Sequence, residues 1–467
     1  MLKHLWMVLA LFSLTACGGS GGGSSDAPAS PYTGTLSGTL VAPNGTTPIP
    51  DATLFIEDSD GALRVMARSA DTRDCPAPAT THDWTCSDAD GTFSFDVEDL
   101  QPGSLLHASK GAWSLTYTLQ LRGNNPGQLG TVAFDSDAAS GAARIAVVTG
   151  SYDRIQDLLA KMGMGELGEG TAPFNAPQSS ALAAASRHVH GPHSPTHHQA
   201  TSSHALPQTL NAMASGDPEA CFELQDPQAF CDCMEEALGF PFCGDVPPGG
   251  GLILGTETFD LYDGDNSLFG QDYPSVSALF EMHEGQPRIF SYDIVYVNCG
   301  AIAPGPNEQT ILAQYVAEGG VLYATDLASD WVAAIPGKVE PVQGTGLDMT
   351  GNTLPATVVD APLASWLANV NCIDGACVDD TGIDLIGFAS GWHLLTPEGD
   401  SNPTILTRAD VSQAGFPGET DAALTFLLSH GEGQIIYSSY HTAEGTALDG
   451  YLPQERILEY LFFSQTP

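Results

Sequence analysis

The feature that most constrains the fold is a pair of short, continuously apolar runs in the part of the chain after residue 142. They are RIAVVT (Arg144–Thr149) and DIVYVN (Asp293–Asn298), and each leads into a glycine-containing turn. A strand that is apolar at every position is typical of a parallel sheet covered by helices on both faces. We therefore predict an α/β domain with a mostly parallel sheet over residues 142–467.

The remaining elements of this domain alternate in the same way. Helical spacing of apolar residues follows Gly150, and Pro306 and Asn307 open a helix that Gly319 and Gly320 end. The other predicted elements are strands at Phe259–Tyr262, Val321–Ala324, Ile383–Phe388, Pro403–Leu406 and Gln434–Ser438, and a closing helix that includes Ile457–Phe462. An insertion rich in Gly, Pro, Ser, Cys and His interrupts the pattern at about residues 165–252.

The segment before this domain has a different pattern, with short alternating stretches between Gly, Pro and Asp turns. We predict a small β-sandwich over residues 35–135. Its candidate strands are Thr39–Val41, Thr53–Ile56, Thr92–Phe95, Ser114–Leu121 and Val132–Phe134. In the turn Asp88–Gly91, the glycine can take a positive φ.

Two stretches of the sandwich resemble a known family. SGTLVAPNGTTPIPDATLFIED and DADGTFSFDVEDLQPGS look like the carboxypeptidase regulatory-like, transthyretin-type sandwich. The resemblance implies a spacer or interaction module without catalysis of its own.

The chain begins like an exported lipoprotein. Lys3 precedes an apolar run, Leu5–Leu14, that is too short to span a bilayer as a stable helix. Leu14-Thr15-Ala16-Cys17 then resembles the lipobox of bacterial lipoproteins, in which the cysteine is acylated. We predict a signal peptide over residues 1–16, lipid on Cys17 and a flexible Gly/Ser tether over residues 17–34. The glycines after Cys17 favour sorting to the outer membrane.

Composition restricts the partners. The 467 residues carry 56 Asp and Glu against 14 Lys and Arg, a formal net charge of -42. Such a field repels nucleic acid, so we predict no nucleic-acid partner. The predicted partners are the membrane, through the N-terminal lipid, and an unknown ligand or protein of the cell envelope.

The ten cysteines fit an oxidising compartment. We predict disulfides Cys75–Cys86 and Cys372–Cys377, because each pair is close in sequence. A cluster could hold two more bridges with open connectivity, or could bind zinc instead; it comprises Cys221, Cys231, Cys233 and Cys243. Cys299 is left over.

A histidine-rich tract at residues 187–204 lies in the insertion. Its histidines are His188, His190, His193, His197, His198 and His204. We interpret it as a disordered segment, with a functional metal store as the alternative.

Three stretches of the α/β domain resemble the class I glutamine-amidotransferase-like superfamily, and most of all its ThuA-like branch. They are DIVYVNCGA, ILAQYVAEGGVLYATD and GEGQIIYSSYHTAEG. The resemblance implies a flavodoxin-like α/β fold. The superfamily's glutaminases carry a nucleophilic Cys in Gly-x-Cys-x-Gly at a sharp strand-to-helix turn, whereas this chain has Thr325-Asp326-Leu327. Their His-x-Glu is also absent, since His441 is followed by Thr-Ala-Glu. We therefore predict no glutamine hydrolysis.

Polar residues at strand ends mark the candidate site. Ligands of an open parallel sheet bind beyond the carboxyl ends of its strands, where Cys299, Asp326 and His441 are predicted to lie. Cys299 could act as nucleophile, His441 as its base and Asp326 as the orienting acid. Alternatively, the three residues have structural roles: Asp326 caps the next helix, His441 hydrogen-bonds the backbone of a loop, and Cys299 is buried or bridged. A weaker candidate is a cation site at another strand end, formed by Asp260, Asp263 and Asp265.

From the sequence we predict a non-catalytic binding or interaction protein that uses the cleft of the α/β domain. The alternatives are a hydrolase acting on an envelope carbohydrate or peptide through the same cleft, and a purely structural envelope protein. A short contact between Cys299 and His441 would favour the hydrolase. We predict no cofactor, and a divalent cation is the open alternative.

Overall fold

The structure is a computed structural model. It describes residues 31–57, 64–67, 75, 77, 84–121, 126–168, 251–265, 268, 271–349, 352–373, 375–388, 390–399, 401–442 and 450–464. The predicted signal peptide, Cys17 and the histidine-rich tract lie outside the described residues, and so does the cluster of Cys221, Cys231, Cys233 and Cys243. None of the helices in the described part has the length and apolarity needed to cross a bilayer.

The described chain is rich in β-structure. Its strands are β1 (Tyr32–Val41), β2 (Thr53–Glu57), β3 (Arg64–Ala67), β4 (Trp84–Cys86), β5 (Thr92–Leu100), β6 (Leu105–Lys110), β7 (Trp113–Thr118), β8 (Gln128–Ala133), β9 (Ile145–Val148), β10 (Asp260–Tyr262), β11 (Met282–His283), β12 (Gln286–Pro287), β13 (Ile294–Val297), β14 (Val321–Thr325), β15 (Val339–Pro341), β16 (Leu354–Val358), β17 (Asn371–Cys372), β18 (Gly375–Ala376), β19 (Gly382–Leu385), β20 (Leu395–Pro397), β21 (Thr404–Ala409), β22 (Ala422–His430) and β23 (Gly433–Ser438). Three small two-stranded sheets pair β11 with β12, β15 with β20 and β17 with β18.

The first eight strands form two four-stranded sheets, with the orders β3-β5-β1-β8 and β4-β2-β6-β7. Alternate residues of β5 are buried, as the period of two in a half-buried strand requires. Buried side chains of both sheets, such as Phe95 and Leu54, belong to one hydrophobic cluster. Gly91 adopts a φ of +76° in the turn before β5, where a Cβ would lie 2.4 Å from the carbonyl oxygen of Leu40. The predicted turn therefore requires its glycine.

A second assembly is a mixed sheet with the order β10-β9-β13-β14-β23-β22-β21-β16-β19. The strands from β10 to β23 are parallel, and those from β23 to β19 pair antiparallel. The prediction of a mostly parallel sheet is therefore wrong for half of the strand pairings. The reason is the hairpin of β22 and β23, whose two-residue connection at Gly431 and Glu432 can join only antiparallel strands.

Helices pack against strands of both halves of this sheet. The α-helices are α1 (Ile155–Leu159), α2 (Pro306–Ala317), α3 (Ser329–Ala333), α4 (Ala361–Leu367) and α5 (Pro453–Ser464). Short 3-10 segments lie at Ala138–Ser140, Val276–Phe280, Arg288–Ser291 and Asp326–Ala328, and a π-helical turn at Ala160–Met164. Helix α2 begins at Pro306 as predicted, and the Glu308 carboxylate accepts a hydrogen bond of 2.6 Å from the amide of Gly305.

The sandwich packs directly on the last helix. Trp113 of β7 lies 5.1 Å from the ring of Phe462 and 5.2 Å from that of Phe463, and it also contacts Phe134. We call these four residues the aromatic cluster. Nearby, the hydroxyl of Thr47 donates to the buried carboxylate of Glu459 at 2.8 Å. The sandwich and the α/β part therefore share one hydrophobic core.

Both predicted short-range disulfides are present. Cys75 is bonded to Cys86 with their Cα atoms 6.0 Å apart, and Cys372 to Cys377 with a separation of 4.8 Å. The first bridge holds β4, an edge strand of the second sandwich sheet. Among the described residues, Cys299 is the free cysteine, and it is buried.

Candidate functional site

Three adjacent parallel strands bring the candidate residues together. Cys299 follows β13, Asp326 follows β14 directly, and His441 lies three residues beyond β23. These strands are neighbours in the sheet, so their carboxyl ends lie side by side. The exposed fractions of the three residues are 0%, 1% and 2%. The cluster is thus enclosed by the protein.

The side chains meet at one nitrogen of the imidazole. His441 Nε2 lies 3.2 Å from the Sγ atom of Cys299 and 3.1 Å from Oδ2 of Asp326. The Sγ atom is itself 3.6 Å from the same carboxylate oxygen. In a nucleophile–base–acid triad, the acid binds Nδ1 and leaves Nε2 to the nucleophile. Here the acid and the thiol compete for the same nitrogen, so the arrangement differs from that of a catalytic triad.

The backbone at Asp326 has an unusual conformation. Its φ of +43° lies in the left-handed region, which residues other than glycine rarely adopt. Two groups hold it there: the amide of His393 donates to Oδ1 at 2.7 Å, and the hydroxyl of Tyr437 donates to the carbonyl oxygen at 3.0 Å. The turn consequently directs the Asp326 carboxylate towards Cys299 and His441.

The surroundings of Cys299 disfavour its thiolate form. Burial raises its pKa to about 12, the negative charge of Asp326 adds to this rise, and His441 opposes it. The backbone amide of Leu327 also donates a hydrogen bond to the sulfur. A thiol with this pKa is protonated at neutral pH, and a protonated thiol is a poor nucleophile.

A second buried carboxylate supports the site. Asp153, which precedes α1, is fully buried. Its Oδ2 accepts hydrogen bonds from the hydroxyl of Thr325 at 2.8 Å and from the amide of Thr442 at 3.0 Å. The same hydroxyl accepts a hydrogen bond of 3.0 Å from the amide of Cys299. Asp153 therefore ties together the residues next to Asp326 and His441.

Tyr152 lies beside the cluster and is half-buried. Burial raises its pKa to about 12, and the charges of Cys299, His441, Asp265 and Asp326 act on its hydroxyl. Its ring lies so close to Gly300 that a Cβ there would be 2.8 Å from it. Sequence reasoning missed Tyr152, Asp153 and His393. The first two follow β9, so their position after a predicted strand was the available signal.

The three aspartates of the weaker cation site do not converge. Asp260 accepts a hydrogen bond from the hydroxyl of Tyr292 at 2.5 Å, and Asp265 accepts one from Thr149. Asp263 accepts from the backbone amide of Leu268 at 3.4 Å. Each carboxylate accepts a hydrogen bond from a different partner, and the cation site stays a prediction. Within the described residues, the group of potential metal ligands whose atoms all lie within 4.8 Å of one another is formed by Cys299, Asp326 and His441.

Comparison with known proteins yields distant similarity only. No protein-family model matches the chain, and no curated protein sequence matches it significantly. A putative ThuA-like protein from Bacteroides uniformis ATCC 8492 is 14% identical, with 42% of this chain and 78% of that chain covered and a TM-score of 0.27. The cytoplasmic protein STM3548 from Salmonella typhimurium is 9% identical, with coverages of 69% and 100% and a TM-score of 0.25.

The exo-beta-1,4-mannosidase Op5Man5 from Opitutaceae bacterium strain TAV5 is 15% identical, with a TM-score of 0.22; 40% of this chain and 24% of the mannosidase are covered. The chain therefore spans about a quarter of that enzyme. TM-scores of this size do not establish a shared fold. A ThuA-like protein is thus a structural neighbour of this chain at a weak level of similarity.

Proposed function

We propose that this chain is a cell-envelope lipoprotein that binds a ligand at the strand ends of its α/β part without acting as a nucleophilic enzyme. The observation that carries the proposal is the shared nitrogen of His441, which Cys299 and Asp326 both contact. In a catalytic triad the acid and the nucleophile bind different imidazole nitrogens, whereas here Asp326 and Cys299 contact the same one. The protonated state of the buried Cys299 supports the same proposal.

The finer fold assignment is part of this proposal. We propose a flavodoxin-like, glutamine-amidotransferase-like α/β domain preceded by a carboxypeptidase regulatory-like sandwich. Asp326 supports it, because a residue with φ of +43° lies at the strand-to-helix turn where the superfamily's glutaminases carry their cysteine. In this chain the turn carries a carboxylate, and the thiol comes from the neighbouring strand end.

One observation favours the alternative, a hydrolase. The distance of 3.2 Å between Cys299 Sγ and His441 Nε2 is short enough for proton transfer. A hydrolase would need the thiol as a thiolate near neutral pH. The two functions therefore differ in a measurable property of Cys299.

Thiol labelling of the native full-length protein tests this difference. At pH 8, iodoacetamide should label Cys299 at least ~100-fold more slowly than a free cysteine, because the thiolate is scarce and the sulfur is buried. Cys299→Ala gives the background, and the unfolded protein gives the full signal. Rapid labelling below pH 8 that disappears in Cys299→Ala and in His441→Ala would favour the hydrolase instead.

A second test concerns the lipid anchor. Cys17→Ser should release the protein from membrane fractions or leave its precursor unprocessed, because serine lacks the thiol that carries the lipid. Cell fractionation and the mass of the mature N-terminus measure this. Cys299→Ser is the matched control, since it removes a thiol elsewhere and should leave the protein membrane-bound. A Cys17→Ser variant that is processed and retained like the native protein contradicts the lipoprotein assignment.

A further inference from the structure

We infer that Cys299, Asp326 and His441 form a three-ligand site for a divalent transition-metal ion, with Zn²⁺ as the best match. The inference rests on the proposed function, since it names the class of ligand bound at the strand ends. The three residues follow three neighbouring strands, and their side chains meet at one buried point.

The distances fit a tetrahedral ion. Zinc binds sulfur at about 2.3 Å and nitrogen or oxygen at about 2.0 Å, so tetrahedral ligands lie about 3.3–3.6 Å from one another. The separations here are 3.2 Å between sulfur and nitrogen, 3.1 Å between nitrogen and oxygen, and 3.6 Å between sulfur and oxygen. Shifts of a few tenths of an ångström would seat an ion between the three atoms. In a catalytic triad, the acid and the nucleophile lie on opposite sides of the imidazole, so a single ion could not contact all three groups.

The donor set selects the metal. A thiolate is a poor ligand for Mg²⁺ and Ca²⁺, whereas sulfur, imidazole and carboxylate together are ligands of zinc. The thiolate and the carboxylate would each carry one negative charge beside a neutral imidazole. A divalent cation balances that charge in a place where two buried anions would otherwise repel each other. The formal net charge of -42 favours entry of a cation.

The surroundings orient the ligands as an outer shell does in metal sites. The carboxylate of Asp326 binds the ion with Oδ2 while Oδ1 accepts from the amide of His393. The sulfur accepts from the amide of Leu327. Asp153 holds the backbone on either side through Thr325 and Thr442. Three protein ligands would leave a fourth coordination position for water or a ligand molecule.

Cobalt substitution tests the site. The full-length protein is dialysed against a chelator and titrated with Co²⁺, whose bond to a thiolate gives a charge-transfer band in the near ultraviolet. We expect the band at one equivalent, its loss in Cys299→Ser, and at least ~100-fold weaker cobalt binding in His441→Gln. Asp326→Asn keeps the shape of the side chain and should also weaken binding. Zn²⁺ should displace the cobalt and abolish the band.

The control variant replaces the six histidines of the tract at residues 187–204 with alanine, and it must retain the band. Near-ultraviolet circular dichroism of each metal-free variant checks the fold. If Cys299→Ser is unfolded, the loss of the cobalt band is tested with Cys299→Ala and His441→Gln instead. No band in the native protein, or a band that survives loss of Cys299, overturns the metal site. If the metal site is overturned but thiol labelling finds Cys299 unreactive, the proposed binding function is retained. Rapid labelling of Cys299 would overturn the binding function, whatever the cobalt titration shows.

Discussion

Lys161→Met is expected to lower the free energy of unfolding by about 3–5 kcal/mol. The ammonium group of Lys161 lies 2.7 and 2.9 Å from the two carboxylate oxygens of Glu455, which sits in the first turn of α5. The exposed fractions of the two side chains are 4% and 1%. Removal of the lysine leaves a carboxylate buried without its main counter-charge. Denaturant unfolding of the full chain measures the loss.

The effect should depend on pH in a defined direction. Burial raises the pKa of Glu455, and the charge of Lys161 is the strongest influence that opposes the rise. Without Lys161, the folded protein holds the proton of Glu455 to higher pH than the unfolded chain does. The variant therefore loses stability as the pH rises, and its difference from the native protein should be smaller at about pH 5 than at about pH 8.

The exposed ion pair of Arg408 and Asp421 is the matched control. Its side chains are 34% and 77% exposed, so Arg408→Ala should change the free energy of unfolding by less than about 1 kcal/mol. If Lys161→Met has an effect as small as this control, the buried pair contributes nothing specific to the stability of the fold.

Trp113→Ala is expected to be the other strongly destabilising change, again by about 3–5 kcal/mol. Trp113 is fully buried, and it fills the centre of the aromatic cluster between the sandwich and α5. Its truncation would leave a cavity lined by Phe134, Phe462 and Phe463. Thermal or denaturant unfolding followed by circular dichroism measures the change.

Trp113→Phe separates packing from hydrogen bonding. Within the described residues, the buried Nε1 atom of Trp113 has no hydrogen-bond partner. Phenylalanine keeps an aromatic ring and removes this unsatisfied donor, so its destabilisation should be well below that of alanine. Equal losses in the two variants would show that the interface does not depend on the ring.

The parallel half of the sheet could be predicted from the sequence for a clear reason. Its strands β9, β13 and β14 are apolar at nearly every position, since both faces are buried. Because parallel strands end at one edge, the approach of Cys299, Asp326 and His441 follows from that pattern. The pattern does not predict which imidazole nitrogen Cys299 and Asp326 contact, because the orientation of the His441 side chain depends on contacts between distant segments.

The remaining features depend on long-range contacts. Asp153 contacts Thr325 and Thr442, which lie 172 and 289 residues further along the chain. The sequence analysis named no strand at β16 or β22, and the turn at Gly431 was the local signal of the antiparallel hairpin. No local pattern indicates that Trp113 meets Phe462.

The shared core also limits how the two parts can evolve. The sandwich and α5 lie at opposite ends of the chain, yet their side chains fill one space. A larger ring on one side has to be matched by a smaller side chain on the other, since a packed interior has little spare volume. Positions 113 and 134 should therefore vary together with positions 462 and 463 among descendants of this protein. A gene rearrangement that moved the sandwich alone to another chain would leave both fragments with an exposed aromatic surface.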